Sequence, residues 1–143
     1  MRVGSKGRYA VVALVDVAEN SASRPVALAE VAARQQISLS YLEQLFALLR
    51  RAGLVQASRG PGGGYRLQRS AAEISVGDVF RAVAEPGSAA ADVGRDWSRG
   101  PAAGLWAALD RHVEQFLDQA MLEDLLSHEL SGAKGGDPGV PCQ

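Results

Sequence analysis

Arg59-Gly60-Pro61-Gly62-Gly63-Gly64-Tyr65 is the stretch on which the fold of this 143-residue chain turns. Its glycines tolerate positive φ and close backbone approach, its proline stiffens the loop without offering a donor, and its arginine adds a permanent charge. A glycine cluster alone is a hairpin turn. Its flanks say more: an amphipathic segment ending in Arg50-Arg51 precedes it, and Leu54-Val55-Gln56-Ala57 and Tyr65-Arg66-Leu67-Gln68 have strand length on either side. Two helices followed by strand, cationic loop and strand are the order of a winged helix-turn-helix. In that fold one helix enters a major groove and the hairpin touches the neighbouring backbone or minor groove.

Upstream, Ser40-Tyr41-Leu42-Glu43 has the capping-box pattern, in which the serine oxygen takes an orphan amide and the glutamate reaches back. Leu42, Leu45, Phe46 and Leu49 then fall at i, i+3, i+4 and i+7, a core-facing stripe that needs no functional explanation. The other side offers Tyr41, Gln44, Leu48 and Arg51, with Ser40 at the start, as a reading face, and Gly53 ends the helix. Val26 to Gln36 is expected to be the first helix of the pair, with Ile37-Ser38-Leu39 as the turn. Ser5 to Asn20 has helical spacing of its own and stops before Pro25.

Downstream, Ser70 to Ala84 resumes a helical pattern that Ser75 can cap, with Asp78 supporting the dipole. Glu85 to Pro101, rich in glycine and proline, reads as a loop. The region 102–131 carries Leu105, Trp106, Leu109, Val113, Phe116, Leu117 and Ala120 in heptad-like register, and 132–143 is a glycine- and proline-rich tail expected to be disordered. The expected architecture is therefore mainly α: a winged helix-turn-helix module over 1–84 with a small β-hairpin wing, a sensor-type loop over 85–101, and a long C-terminal dimerisation helix. Two copies packed through Leu105, Leu109, Val113, Phe116, Leu117 and Ala120 would bury the stripe and set two reading helices about 34 Å apart. The alternative is packing of this helix on the first helix of its own chain.

The net charge of −1 conceals a division. Residues 1–70 hold ten lysines and arginines against four acids, and residues 71–143 hold five against twelve. A basic half joined to an acidic half suits a polyanion-binding module attached to a segment with another task. The apolar run Tyr9 to Val17 is interrupted by Asp16 and too short to span a bilayer, and no cleavage-site pattern follows it. A cytoplasmic location and no membrane partner are expected. Catalysis has no support: His112 and His128 lack metal-spaced companions, and the Gly60 to Gly64 run lacks the lysine and hydroxyl ending of a phosphate-binding P-loop. No small-molecule substrate is indicated, and no enzyme is expected.

Three motifs in order, Ser5-Lys6-Gly7-Arg8-Tyr9-Ala10, Ile37-Ser38-Leu39-Ser40-Tyr41-Leu42-Glu43-Gln44-Leu45-Phe46 and Arg59-Gly60-Pro61-Gly62-Gly63-Gly64-Tyr65, closely resemble the iron-sulfur cluster regulator family of bacterial winged-helix transcription factors. The similarity spans roughly residues 1–85 strongly and Leu105-Trp106 onward more weakly. It implies a homodimer on double-stranded DNA that regulates, as a repressor, genes of iron-sulfur cluster assembly or iron homeostasis. It places DNA contacts at Ser38, Ser40, Tyr41, Glu43 and Gln44 of the recognition helix and at Arg59, Gly60, Pro61, Gly63, Gly64 and Tyr65 of the wing. Gln44 can pair a base edge, Ser40 and Tyr41 can donate to phosphates, Glu43 can accept from cytosine or repel wrong sequences, and Arg59 suits a narrow minor groove.

One departure stands beside the match. Relatives that hold a two-iron two-sulfur cluster typically carry three cysteines and a histidine in the segment corresponding to Glu85 to Gly104, and this sequence has neither residue type there. Thiolates normally hold such a cluster, and carboxylates replace them poorly. The remaining conceivable ligands for an atypically held iron-sulfur cluster are Cys142, His112 and His128; the ordinary reading is a tail thiol and two surface histidines. Two rivals follow, a redox or metal sensor with such a cluster or another effector, and a protein-interaction module whose basic half is incidental.

Overall fold

Ala10, Ala13, Leu14 and Val17 repeat at helical spacing and are all sealed from solvent along one side of α1, Ser5–Asn20. The computed structural model describes residues 3–84 and 98–127. After α1 come α2 (Leu28–Gln35) and α3 (Leu39–Arg51), then strands β1 (Val55–Ser58) and β2 (Gly64–Leu67). A single 3-10 turn at Ala71–Glu73 leads into α4 (Val76–Val83), and α5 (Ala103–Gln119) and α6 (Leu122–Leu126) follow the undescribed stretch. The chain is mainly helical with one small antiparallel sheet, as its pattern predicts.

The helix-turn-helix is closed by a residue the pattern does not mark. Gln36 takes a left-handed backbone at φ 58° directly after α2, and the Ile37 amide reaches back to the Ala32 carbonyl. That reversal lets α3 start at Leu39 and drive Leu42, Leu45, Phe46 and Leu49, each fully buried, into the core beside Val31 and Leu14. The expected cap is displaced by two residues. Ser38, in extended conformation, is the N-cap, and its hydroxyl accepts from the Tyr41 amide at 3.2 Å. Ser40 therefore lies inside the first turn, where its hydroxyl is not needed to satisfy an orphan amide.

At its far end α3 stops as predicted: Gly53 sits at φ 80°, its amide bonds the Arg50 carbonyl, and the Leu54 amide bonds that of Leu49. The hairpin then pairs Val55 with Leu67 and Ser58 with Gly64. Val26, expected to open α2, is instead a one-residue third strand. Its amide and carbonyl exchange hydrogen bonds with Tyr65 at 2.9 and 2.8 Å.

Downstream of the hairpin, Ser75 caps α4 as expected, and Asp78 reaches back to complete a capping box. The long C-terminal helix does not fill the region 102–131. It ends at Gln119, and Ala120 and Met121 are extended so that the Val76 amide bonds the Ala120 carbonyl at 2.7 Å and the Leu122 amide bonds the Ile74 carbonyl at 2.9 Å. Leu122 is thereby fully buried in the same core as Leu14 and Phe46. A boundary at residue 84 thus does not separate two cores, because the C-terminal region completes the first one. The expected disordered tail, 132–143, and most of the expected loop, 85–101, lie outside the described residues.

Candidate nucleic-acid interface

The outward side of α3 follows from what its core stripe excludes. Ser40, Glu43, Gln44, Ala47 and Arg51 are exposed and share that side. Two members of the predicted reading face are placed differently. Leu48 is half-buried and packs onto the core, and Tyr41 is half-buried with its ring edge-on to Tyr9 of α1, centroids 5.7 Å apart. Tyr41 thus serves as a packing link between α1 and the first turn of α3, a role that leaves only part of its ring open. Nothing in the spacing of Tyr9 and Tyr41 announces this contact, since it joins residues from two helices.

The wing divides into a free tip and an anchored base. Arg59, Gly60 and Pro61 are exposed, and the tip is closed by a 2.8 Å bond from the Gly63 amide to the Gly60 carbonyl. Gly63, Gly64 and Tyr65 are half-buried. The Tyr65 ring lies on Phe46 of α3 with centroids 5.0 Å apart, and its backbone holds Val26. A Cβ on Gly64 would collide with the Val26 carbonyl. Gly64 and Tyr65, expected as DNA contacts, thus also fix the hairpin against the recognition helix, while Arg59 and the tip are exposed.

Charge completes the surface. Arg24, Arg34, Arg69 and Arg81 each pair with a carboxylate, whereas Arg50, Arg51, Arg59 and Arg66 pair with none among the described residues. Arg50 and Arg51 occupy the last turn of α3, where cations also favour the helix dipole. Arg59 and Arg66 belong to the wing. Unpaired cations around an exposed polar helix face are the arrangement that phosphate contacts require.

The C-terminal stripe splits in the same way. Leu117 and Ala120 are buried within the chain against Val76 and Phe80 of α4, so they are core residues here, and Val113 packs beside them. Leu105, Leu109 and Phe116 are 60 %, 51 % and 41 % exposed and belong to neither buried cluster. Beside Phe116 an apolar groove of about 300 Å³ opens between α1, α4 and α5, bordered by Val12, Phe80 and Leu125 with Arg8 at its edge. An ion pair at 2.7 Å between Arg81 and Asp118 ties α4 to α5 across this junction.

The donor set does not fit a cluster of the usual kind. One cysteine and two histidines exist in the whole chain. Cys142 and His128 lie outside the described residues, and His112 is exposed on α5; among the described residues no three histidine, cysteine or acidic side chains converge as a metal site.

An exposed recognition helix beside an anchored, cationic hairpin defines a winged-helix DNA-binding transcription regulator. The chain belongs to the Rrf2 family of iron-dependent transcriptional regulators, whose model matches residues 3–128. It is 49 % identical over 151 residues to the HTH-type transcriptional regulator IscR of Cereibacter sphaeroides, covering 99 % of this chain and 95 % of that protein. It is 48 % identical over 133 residues to IscR of Pectobacterium carotovorum, covering 90 % and 81 %. Among solved structures, T. potens IscR superposes with a TM-score of 0.75 at 37 % identity, covering 90 % of this chain and 88 % of that one. CymR, the global cysteine regulator of B. subtilis, does so with a TM-score of 0.74 at 35 % identity, covering 90 % and 98 %. These relatives are regulators rather than enzymes. Among the described residues no helix is long and apolar enough to cross a membrane.

Proposed function

We propose that this protein is a homodimeric, sequence-specific repressor that binds double-stranded DNA at promoters of iron-sulfur or other iron-related genes. The observation that carries the proposal is the exposed face Ser40, Glu43, Gln44 and Arg51, flanked by a wing whose Arg59 pairs with no carboxylate among the described residues. Gln44 reads a base edge in the major groove, Ser40 and the open edge of Tyr41 hold phosphates, and Glu43 accepts from cytosine or repels a mismatched site. Ser38 contributes through its cap and the turn it fixes. Arg59, carried on the Gly60-Pro61 tip, enters the adjacent minor groove.

Dimerisation supplies the second half-site. The exposed residues Leu105, Leu109 and Phe116 and the apolar groove beside them lie on one chain, so a second copy can bury both by twofold symmetry. A dimer seated across a promoter represses by occupying it. The iron-dependent description of the family, together with the motif resemblance to the iron-sulfur cluster regulators, supports the choice of target genes.

Fluorescence anisotropy against a palindromic promoter duplex tests the proposal. Arg59→Ala is expected to weaken binding and to lower its salt slope, while Gln44→Ala relaxes base preference, losing about 1–3 kcal/mol of discrimination at one position. Folded protein that binds no such duplex in a salt-dependent way overturns it.

A further inference from the structure

We infer that Arg66 is a preorganised phosphate-binding residue on the outer face of the wing, a DNA contact additional to the tip; this rests on the DNA-binding reading above. Tyr65 and Leu67, its neighbours on β2, pack onto the core, so strand alternation turns Arg66 to the opposite side, directly across from the exposed Gln56. Its side chain is half-buried, and its Nε is removed from water with no hydrogen-bond acceptor. The two terminal nitrogens are also without protein partners, and neither is sealed from solvent. The Nε end of the stem is therefore sheltered while the fork stays in contact with solvent.

Such an arrangement has no structural return. A guanidinium that held the fold together would meet a carboxylate or carbonyl, as Arg69 three residues on meets Asp78 at 3.6 Å. Arg66 instead carries the cost of a desolvated donor and leaves its charge free. A sheltered stem lowers the entropy lost when the planar fork engages phosphate oxygens. The register places Arg66 two residues beyond Gly64, about 7 Å along the hairpin from the loop that bears Arg59. One strand of a duplex presents a charge about every 3.4 Å of axis, so a second cation at that spacing has a phosphate to meet.

The experiment compares wild type, Arg66→Gln, Arg66→Lys and Arg59→Ala by anisotropy over a salt series, on a promoter duplex and on a duplex of scrambled sequence, with thermal unfolding of each protein. Arg66→Gln is expected to bind both duplexes roughly tenfold more weakly at low salt and to lose about 0.9 from the salt slope, without a fall in Tm. Arg66→Lys is expected to keep the slope and part of the affinity, because it keeps the charge and loses the planar fork. Unchanged affinity and slope in Arg66→Gln, with Arg59→Ala weakened, overturns the role of Arg66 alone. A lowered Tm with an unchanged slope assigns Arg66 to the fold and overturns it equally. Wild type that binds neither duplex removes the DNA-binding reading and this inference together.

Discussion

Arg34 of α2 grips Asp16 of α1 with two nearly parallel hydrogen bonds, Nη2 to Oδ1 at 2.7 Å and Nε to Oδ2 at 3.0 Å. Gln35 donates to the same carboxylate at 2.8 Å and Asn20 at 3.4 Å, so an acid only 2 % exposed is saturated by its own neighbourhood. The pair fixes the angle between α1 and α2, and through the Gln36 reversal it fixes where α3 emerges. Removing the two partners is not equivalent. Arg34→Ala strands a buried carboxylate with two amides, whereas Asp16→Asn leaves a half-exposed guanidinium that water can solvate. Urea unfolding should show a loss of about 2 kcal/mol or more for Arg34→Ala and a smaller one for Asp16→Asn. The reverse order would mean that Asp16 is not held as an ion.

The same carboxylate sets an acid limit. Burial pushes the Asp16 carboxyl up, but hydrogen bonds from Arg34 and Gln35 and the Arg34 charge outweigh it and hold the group below its ordinary value of 3.8. A folded-state value below the unfolded one gives stability that is complete above the ordinary carboxylate range and is lost as pH falls through the lowered folded value. Asp78 behaves alike: burial raises it, and the Ser75 amide, Arg81 and Arg69 lower it further. Unfolding midpoints measured from about pH 6 down to about pH 2.5 should fall, and the gap between wild type and Asp16→Asn should close toward the acid end. A gap that persists unchanged at the lowest pH contradicts a carboxylate origin.

Ser38 and Ser40 differ in kind despite standing two residues apart. Ser38 caps α3, and Ser38→Ala should cost about 1 kcal/mol in stability. Ser40 is exposed in the first turn, so Ser40→Ala should change stability by less than about 0.5 kcal/mol while weakening duplex binding. Chemical denaturation beside anisotropy separates the two; equal stability losses would restore Ser40 as the cap.

The order of helix pair and hairpin, the core stripe of α3, the stop at Gly53 and the cap at Ser75 were legible because each depends on residues close in sequence. The Ser38 cap was missed because Glu43 gives the capping-box pattern to Ser40, and only the turn geometry shows that the helix already starts at Leu39. Val26 as a third strand, the Tyr9–Tyr41 contact and the Asp16–Arg34 pair were invisible for one reason: each joins segments distant along the chain. Asp16 left a faint mark as a lone acid among apolar residues on α1. Heptad-like spacing overextended α5, since it cannot register that Ala120 and Met121 gain more by pairing with Ser75 and Val76 than by continuing the helix.

Gly64 shows what a glycine in the wing is for. Its backbone passes so close to the Val26 carbonyl that a Cβ cannot fit, whereas Gly62 at φ 78° has open space around it. Gly64→Ala must push β2 away from Val26, which should cost about 1–3 kcal/mol and loosen the base of the wing, weakening duplex binding. Gly62→Ala pays only for its left-handed backbone, about 1 kcal/mol, with the hairpin base intact. Hydrogen exchange at the Val26 and Tyr65 amides distinguishes them. Faster exchange is expected in Gly64→Ala alone, and equal exchange in both variants would remove the Val26 contact as the cause.

Leu105 and Leu117 lie on one helix and should respond to different assays. Leu117 is 7 % exposed against Val76 and Phe80, so Leu117→Ala opens a cavity inside the chain and should cost about 2–5 kcal/mol in unfolding. Leu105 is 60 % exposed and touches no core, so Leu105→Asp leaves the monomer fold intact and places a charge where a second copy would bury an apolar side chain. Sedimentation velocity at micromolar concentration should give a dimer for wild type and a monomer for Leu105→Asp, with unchanged far-ultraviolet circular dichroism. Because each monomer then carries one reading helix, its affinity for a palindromic duplex should fall toward that for a half-site, linking association to DNA affinity through α5. A Leu105→Asp protein that remains dimeric would move the contact away from the exposed stripe, to the groove beside Phe116 or elsewhere.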